Sequence, residues 1–331
     1  MSILVTGAAG FIGMYVCQAL VSRGEHVIGI DNLNDYYDVS LKQARLAHFD
    51  NIKNFQFIEL DFSNNKQLQK ALKEKNITKI VHLGAQAGVR YSIENPSAYV
   101  QSNLVGHVNI LELSRKIDSF EHLVYASSSS VYGDNKLMPF SEKHAVNTPL
   151  SLYAATKKSD ELISQSYSHL FRVPMTGLRF FTVYGPWGRP DMAYWLFTKA
   201  ILEGKAIKVF NNGEMRRDFT YIDDIVTGII DCLYNAPIDD GTHYVDNSNA
   251  PHRVFNIGNN KSENLLEMIE LLENSLGKKA IKVFEPMQPG DVKETYADIS
   301  AIQNAIGYSP STTIKTGLPR FVSWYRKFYD I

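Results

Sequence analysis

The sequence predicts an α/β protein built on a doubly wound parallel sheet. Three observations carry that expectation. Short apolar strands alternate with helical stretches through the first half, the first strand runs into a glycine turn that opens a helix, and an aspartate closes the second strand. In order, Ile3–Val5 is a branched apolar strand, and Ile12–Arg23 reads as the helix after the turn. Strands follow at Val27–Ile30, Phe55–Glu59, Ile80–Leu83, Leu123–Ala126 and Met175–Phe180, interleaved with helices at Asn65–Lys75, Pro96–Lys116 and Leu150–Leu170. Strands separated by helices make βαβ units, whose right-handed crossovers build a Rossmann-type sheet. Pro186, Gly188 and Pro190 then break the pattern. Beyond them come a helix at about Ala193–Glu203, the turn Asn211-Asn212-Gly213, a helix at Asp223–Tyr234, a strand at Val254–Ile257 and a helix at Ser262–Leu276. The expected division is a first domain over residues 1–182 and a smaller α/β domain over 183–331, some of whose segments return to pack on the first.

Composition narrows the function classes. A chain of 331 residues, 44% hydrophobic with a formal net charge of -1, offers no field for nucleic acid or an anionic membrane. Any anionic ligand must therefore be met by local arginines. Cys17 and Cys232 are too few for a disulfide framework or zinc site, so a reducing cytoplasm is the expected setting. The first strand begins at once, leaving no space for a signal peptide. No apolar run reaches the roughly 18 residues that span a bilayer.

The turn reads Gly7-Ala8-Ala9-Gly10-Phe11-Ile12-Gly13. Gly7 makes the tight turn, Gly10 lets backbone approach a pyrophosphate, and Gly13 lets the helix pack closely on the sheet, with free N–H groups at the helix start for the phosphate. The strand before and helix after it make this a dinucleotide site rather than a plain turn. Asp31 at the end of the second strand accepts from the adenosine ribose hydroxyls and repels a 2′-phosphate, which favours NAD over NADP. Asp61 and Phe62, after the third strand, are placed to flank the adenine.

Tyr153 and Lys157 are four apart, on one face of a predicted helix. A free tyrosine titrates near 10, and bringing it to about 7 requires roughly 4 kcal/mol of preferential stabilisation of the phenolate. A lysine ammonium and an oxidised nicotinamide both supply positive charge for this. The same spacing recurs at Tyr132 and Lys136, but in a glycine-containing segment assigned to a loop. The run Ser127 to Ser130 lies at a strand end. Ser128 is the candidate to hydrogen-bond the substrate hydroxyl, with backbone turn bonding the alternative for each serine.

Together the glycine turn, Asp31, the serine run and the Tyr153/Lys157 pair resemble the extended short-chain dehydrogenase/reductase superfamily over essentially the whole chain. The resemblance implies cofactor contacts from Gly7, Gly10, Phe11, Ile12, Gly13, Asp31, Asn32, Asp61, Phe62, Asn103, Tyr153 and Lys157. The run Arg216-Arg217-Asp218-Phe219-Thr220-Tyr221-Ile222-Asp223-Asp224 looks like the nucleotide-sugar branch, in which Arg217 would hold a diphosphate. Pro289-Gly290-Asp291-Val292 also fits, with Asp291 toward the uridine ribose and Lys293 toward phosphate.

Departures from sister patterns sharpen the reaction. Sugar 4,6-dehydratases carry an Asp-Glu pair in the serine region, and decarboxylases a glutamate; here the segment has no acid. Thr182 stands where UDP-glucose 4-epimerases usually have asparagine. Three stretches look like UDP-glucuronate 4-epimerases: Asp31 to Asp38, Ala85 to Ser92, and Trp187 to Ala193. A glucuronate carboxylate suits a guanidinium fork. Arg189 is the first candidate for it and Arg90 the second, with phosphate or a dimer contact open for Arg90 and a plain surface role open for both. Ser128, Ser129 and Thr182 complete the expected sugar contacts. The resemblance thus implies NAD-dependent 4-epimerisation of UDP-glucuronate to UDP-galacturonate by a homodimer. A 4-epimerase of neutral UDP-hexoses, a reductase and a non-catalytic sensor of NAD or nucleotide sugar are the alternatives.

Overall fold

The computed structural model describes residues 1–241, 248–287 and 292–331. Its strands are β1 (Ser2–Thr6), β2 (Val27–Asp31), β3 (Phe55–Glu59), β4 (Ile77–His82), β5 (His122–Ser128), β6 (Met175–Phe180), β7 (Thr182–Tyr184), β8 (Ala206–Val209), β9 (Arg216–Tyr221), β10 (His252–Ile257), β11 (Ser262–Asn264) and β12 (Ile281–Phe284). Seven form one sheet in the order β10-β6-β5-β4-β1-β2-β3, with every pairing parallel. The order reverses between β1 and β4, which opens a crevice at their carboxyl ends.

Side-chain alternation along the strands divides the core in two. Ile3, Val5, Val81, Val124 and Leu178 face a cluster that includes Phe11, Met14 and Cys17 of the Phe11–Ser22 helix and Ile225 and Ile229 of the Ile222–Tyr234 helix. Leu4, Ile28, Ile80, Leu123 and Tyr125 face the other way, onto Leu68, Leu72, Ile110 and Leu111. Both cysteines are buried and free, and burial pushes the Cys232 thiol up to about 12.

The predicted long helix after Pro96 is interrupted. It runs as α-helix over Pro96–Tyr99, widens to a π-helix over Val100–Val105, and returns to α-helix over Gly106–Ser114. The later segments depart further from expectation. Ser262–Asn264 is not helical: it pairs antiparallel with β9, and the helix starts at Leu265 under an Asn264 cap. β9 also pairs in parallel with β7, and β12 with β8. β10, read from sequence as part of the later region, lies in the large sheet beside β6. No described helix is long and apolar enough to cross a membrane.

Candidate active site

Backbone builds the cofactor side. Gly7 has φ +69°, and a Cβ there would sit 2.9 Å from Gly84 N in the loop after β4. Gly13 is tighter: its Cβ would fall 1.9 Å from Gly7 O. Any side chain at Gly13 would push the helix start away from the sheet, so the turn is a cradle that only glycine closes. Asp31, nearly buried, pins this cradle. Its Oδ2 accepts Ala9 N at 3.2 Å and its Oδ1 accepts Leu33 N at 2.9 Å. Burial raises its pKa, against Lys42 and these backbone donors. Each oxygen retains a lone pair for ribose hydroxyls. Asn32 donates to Asp61 Oδ2 at 3.2 Å, placing those two expected contacts together at the rim. Phe62 is different: its ring is buried edge-on to His82 and packed on Gly84 and Gly106, and its carbonyl accepts from Asn109. A dinucleotide therefore fits the residues present.

Beside this cradle the Leu152–Phe171 helix begins. Ser151 caps it by accepting Ala154 N, which sets Tyr153 in the first turn, where partial positive charge favours an anion. Lys157 is buried one turn later and donates to Ala126 O at 2.9 Å and Asp160 Oδ2 at 3.2 Å. Tyr132 is excluded as the base by its surroundings. It is 1% exposed, donates to Asn256 Oδ1 at 2.6 Å, and is pushed up to about 12 by burial. Ser127 is likewise drawn into the core, donating to Glu161 Oε1, which also takes the Arg179 fork. Ser128 Oγ accepts Ser130 N and donates to Ser130 Oγ, and Ser129 stands half-buried beside it. Asn103 lies in the π-helical stretch with all its polar atoms engaged. It accepts Gln86 N and donates to Gln86 O and Thr156 Oγ1, tying the loop after β4 to the turn that holds Tyr153. Its side chain braces this corner of the crevice.

Side chains on loops build the substrate side. Arg189 makes a two-pronged bond to Asp191, Nε to Oδ1 at 3.0 Å and Nη2 to Oδ2 at 2.5 Å. Tyr36 OH donates to the same Oδ2. The Arg189 guanidinium is near enough to Tyr153 and Tyr36 to interact with their charges, and the Tyr99 ring lies edge-on to Tyr153 at 6.1 Å. Arg90 stacks over Phe210 at 5.3 Å, next to the Asn211–Gly213 turn. Arg217 leaves β9 half-exposed, donating to Arg216 O and Lys293 O. Lys293 points its amine to Glu214. Thr182 opens β7, paired with Phe219. Asp291 lies outside the described residues.

Sequence reasoning missed several residues that hold this arrangement. Arg45, fully buried, donates to Ala9 O, Tyr37 OH, Trp187 O and Gly188 O, joining the glycine turn to the loop that carries Arg189. Tyr15 OH donates to Pro186 O in the same loop. Asp191 stands two residues from Arg189, a spacing that could have signalled the pair.

Residues 4–321 match the family model described as GDP-mannose 4,6 dehydratase. UDP-glucuronate 4-epimerase 4 of Arabidopsis thaliana is 50% identical, over 99% of this chain and 76% of the plant protein. The UDP-glucuronic acid 4-epimerase of Bacillus cereus, solved with UDP-glucuronic acid and NAD, superposes with a TM-score of 0.90 at 37% identity, over 99% of this chain and 100% of that one. The UDP-glucose 4-epimerase of Thermotoga maritima, solved with UDP-glucose, gives 0.86 at 28% identity, over 99% and 100%.

Proposed function

The chain belongs to the GDP-mannose 4,6 dehydratase family within the extended short-chain dehydrogenases/reductases, and we infer that it is an NAD-dependent isomerase that converts UDP-glucuronate to UDP-galacturonate. The observation that carries this reading is the Arg189 fork, which already grips a planar carboxylate, Asp191, among Tyr36, Tyr99 and Tyr153. An acid sugar presents the same group at C5. The serine segment at the end of β5 carries no acid for water elimination, so the family name describes a different chemistry from the one these residues support.

The chain's own groups divide the work. Tyr153 takes the proton of the C4 hydroxyl, with the Lys157 ammonium stabilising its phenolate and Ser128 bonding the same hydroxyl. NAD, held by the Gly7–Gly13 cradle and Asp31, supplies the acceptor and then the donor of the C4 hydride and is unchanged after each turnover. Arg217 anchors the diphosphate while the 4-keto sugar turns about its bonds to it, with Lys293 beside the phosphate and Asp291 toward the uridine ribose. Arg189, Thr182 and Ser129 hold the carboxylate near the plane of the ring carbons, which disfavours loss of carbon dioxide from this β-keto acid. Residues 1–182 form the cofactor unit and 183–331 the nucleotide-sugar unit, except that β10 returns to the cofactor sheet beside β6. The protein acts as a cytoplasmic homodimer, its partner covering Val100 and Val105, 44% and 39% exposed, and Leu162, 60% exposed on the catalytic helix.

The test is to incubate the purified protein with UDP-glucuronate and separately with UDP-glucose, and to identify the products by NMR. UDP-galacturonate from the first and nothing from the second is the expected result. UDP-galactose from the second, with UDP-glucuronate untouched, would transfer the assignment to neutral sugars. A UDP-pentose would show that the site decarboxylates.

A further inference from the structure

Behind Tyr153 and Lys157 lies a carboxylate that this reaction does not use. Asp160 sits one turn beyond Lys157 and is 1% exposed. Its Oδ2 is 3.2 Å from Lys157 Nζ, while its Oδ1 accepts no hydrogen bond from the described residues. A buried carboxylate normally fills its acceptor sites, so this one holds a single short-range partner where several would be usual. On the other side, Lys157 has three ammonium protons, of which Ala126 O and Asp160 take two. One proton remains for the cofactor and Tyr153.

The groups facing Asp160 supply no second cation to balance it. His82 of β4 is pushed down to about 3 by burial, and His107, whose ring donates to Asp160's own backbone carbonyl, well below its usual value. Tyr125 of β5 is raised by burial and bonded to His252 of β10. Neighbouring Glu161 is occupied by Arg179, Lys158 and Ser127. Among the described residues, Lys157 is therefore the one cation that balances Asp160, with the Glu161 carboxylate acting against it.

We propose that Asp160 is a positioning residue of the catalytic pair: it fixes the direction of the Lys157 ammonium and, by its own ionisation, sets how much positive charge reaches Tyr153. This rests on Tyr153 being the base and holds for whichever UDP-hexose is turned over. With Asp160 ionised, the pair is close to neutral and the phenolate is stabilised less. With Asp160 protonated, the full ammonium acts on it. Burial raises this carboxyl above the usual carboxylate range, toward neutrality, against the pull of Lys157.

The experiment is the pH dependence of kcat for the NAD-loaded enzyme at saturating UDP-sugar. Asp160→Asn keeps an oxygen for Lys157 but removes the charge. Its acid limb is expected to lie about one pH unit below that of the unmodified enzyme, the size one partly screened charge has at several ångströms. KM is expected to stay within about twofold, since no sugar contact is altered. Asp160→Ser gives the same reading should the asparagine variant not fold. An unshifted limb, with kcat scaled equally at every pH, would overturn the proposal and leave Asp160 a structural residue. Retained turnover in Tyr153→Phe would instead remove the base on which the proposal stands, so the two failures are distinguishable.

Discussion

The two walls of the crevice are made of different material. The cofactor wall is backbone: a glycine turn closed to within 1.9 Å of an added Cβ, an Asp31 whose oxygens hold Ala9 and Leu33, and an Asn103 whose polar atoms are all engaged with protein. The substrate wall is side chains, two of them on loops: Arg189 held by Asp191 and Arg90 stacked on Phe210, with Arg217 at the start of β9 leaning on two carbonyls. Backbone contacts suit a ligand that does not change from turnover to turnover. Loop-borne arginines suit one that must arrive, turn over and leave, and they let one fold take different sugars by exchanging a few side chains.

Substitutions can break this contrast in order of severity. Tyr153→Phe touches neither wall yet removes the proton acceptor. Turnover should fall by at least about a thousandfold, the upper range for losing a general base, while NAD stays bound when the purified protein is assayed for cofactor. Retention of more than a few per cent of activity would exclude Tyr153 from the role. Gly13→Ala adds a single methyl to the cofactor wall. Because that methyl meets Gly7 O and cannot be accommodated by rotating a side chain, cofactor affinity should drop about a hundredfold, measured by titrating stripped protein with NAD. Unchanged affinity would show that the turn has slack that the geometry denies. Arg189→Gln alters one fork on the substrate wall. It should cost about tenfold to a hundredfold in kcat/KM with UDP-glucuronate, the value of a charge-assisted hydrogen bond from the Nη1 side of the guanidinium that Asp191 does not take, with cofactor affinity unaffected. Equal losses with an acid and a neutral UDP-hexose would remove Arg189 from carboxylate recognition.

The same contrast explains what could be read from sequence. Gly7, Gly10, Gly13 and Asp31 are visible because a tight turn and a strand end impose their residue types at fixed local spacing. Tyr153 and Lys157 are visible because helical period puts them on one face. Even the choice against Tyr132 followed from its glycine neighbour, and the structure adds the physical cause, burial against Arg179 and Asn256. Arg45, Asp160 and the Glu161–Arg179 pair were not legible, since nothing local distinguishes a buried charge from a solvated one. The Glu161 partner of Arg179 lies 18 positions away, and two of the partners of Arg45 lie 142 and 143 away. Short strands such as β7 and β11 escaped for a related reason: three residues carry no period, and their pairing with β9 is what makes them strands. The final helix, Ile314–Tyr329, contains Gly317 and Pro319, both poor helix residues. Burial of Leu318, Phe321, Val322 and Tyr325 outweighs them.

Arg45 ties the two walls at a single point. One guanidinium without solvent contact satisfies carbonyls of the glycine turn and of the Trp187–Gly188 segment, and Tyr15 adds a second tie to Pro186. Neither loop can open locally without stranding a charge in the core, an expense of several kcal/mol. Hydrogen exchange at the amides around Trp187 should therefore be slow for a surface loop, and its protection should be lost together with that of the glycine turn to which Arg45 ties it.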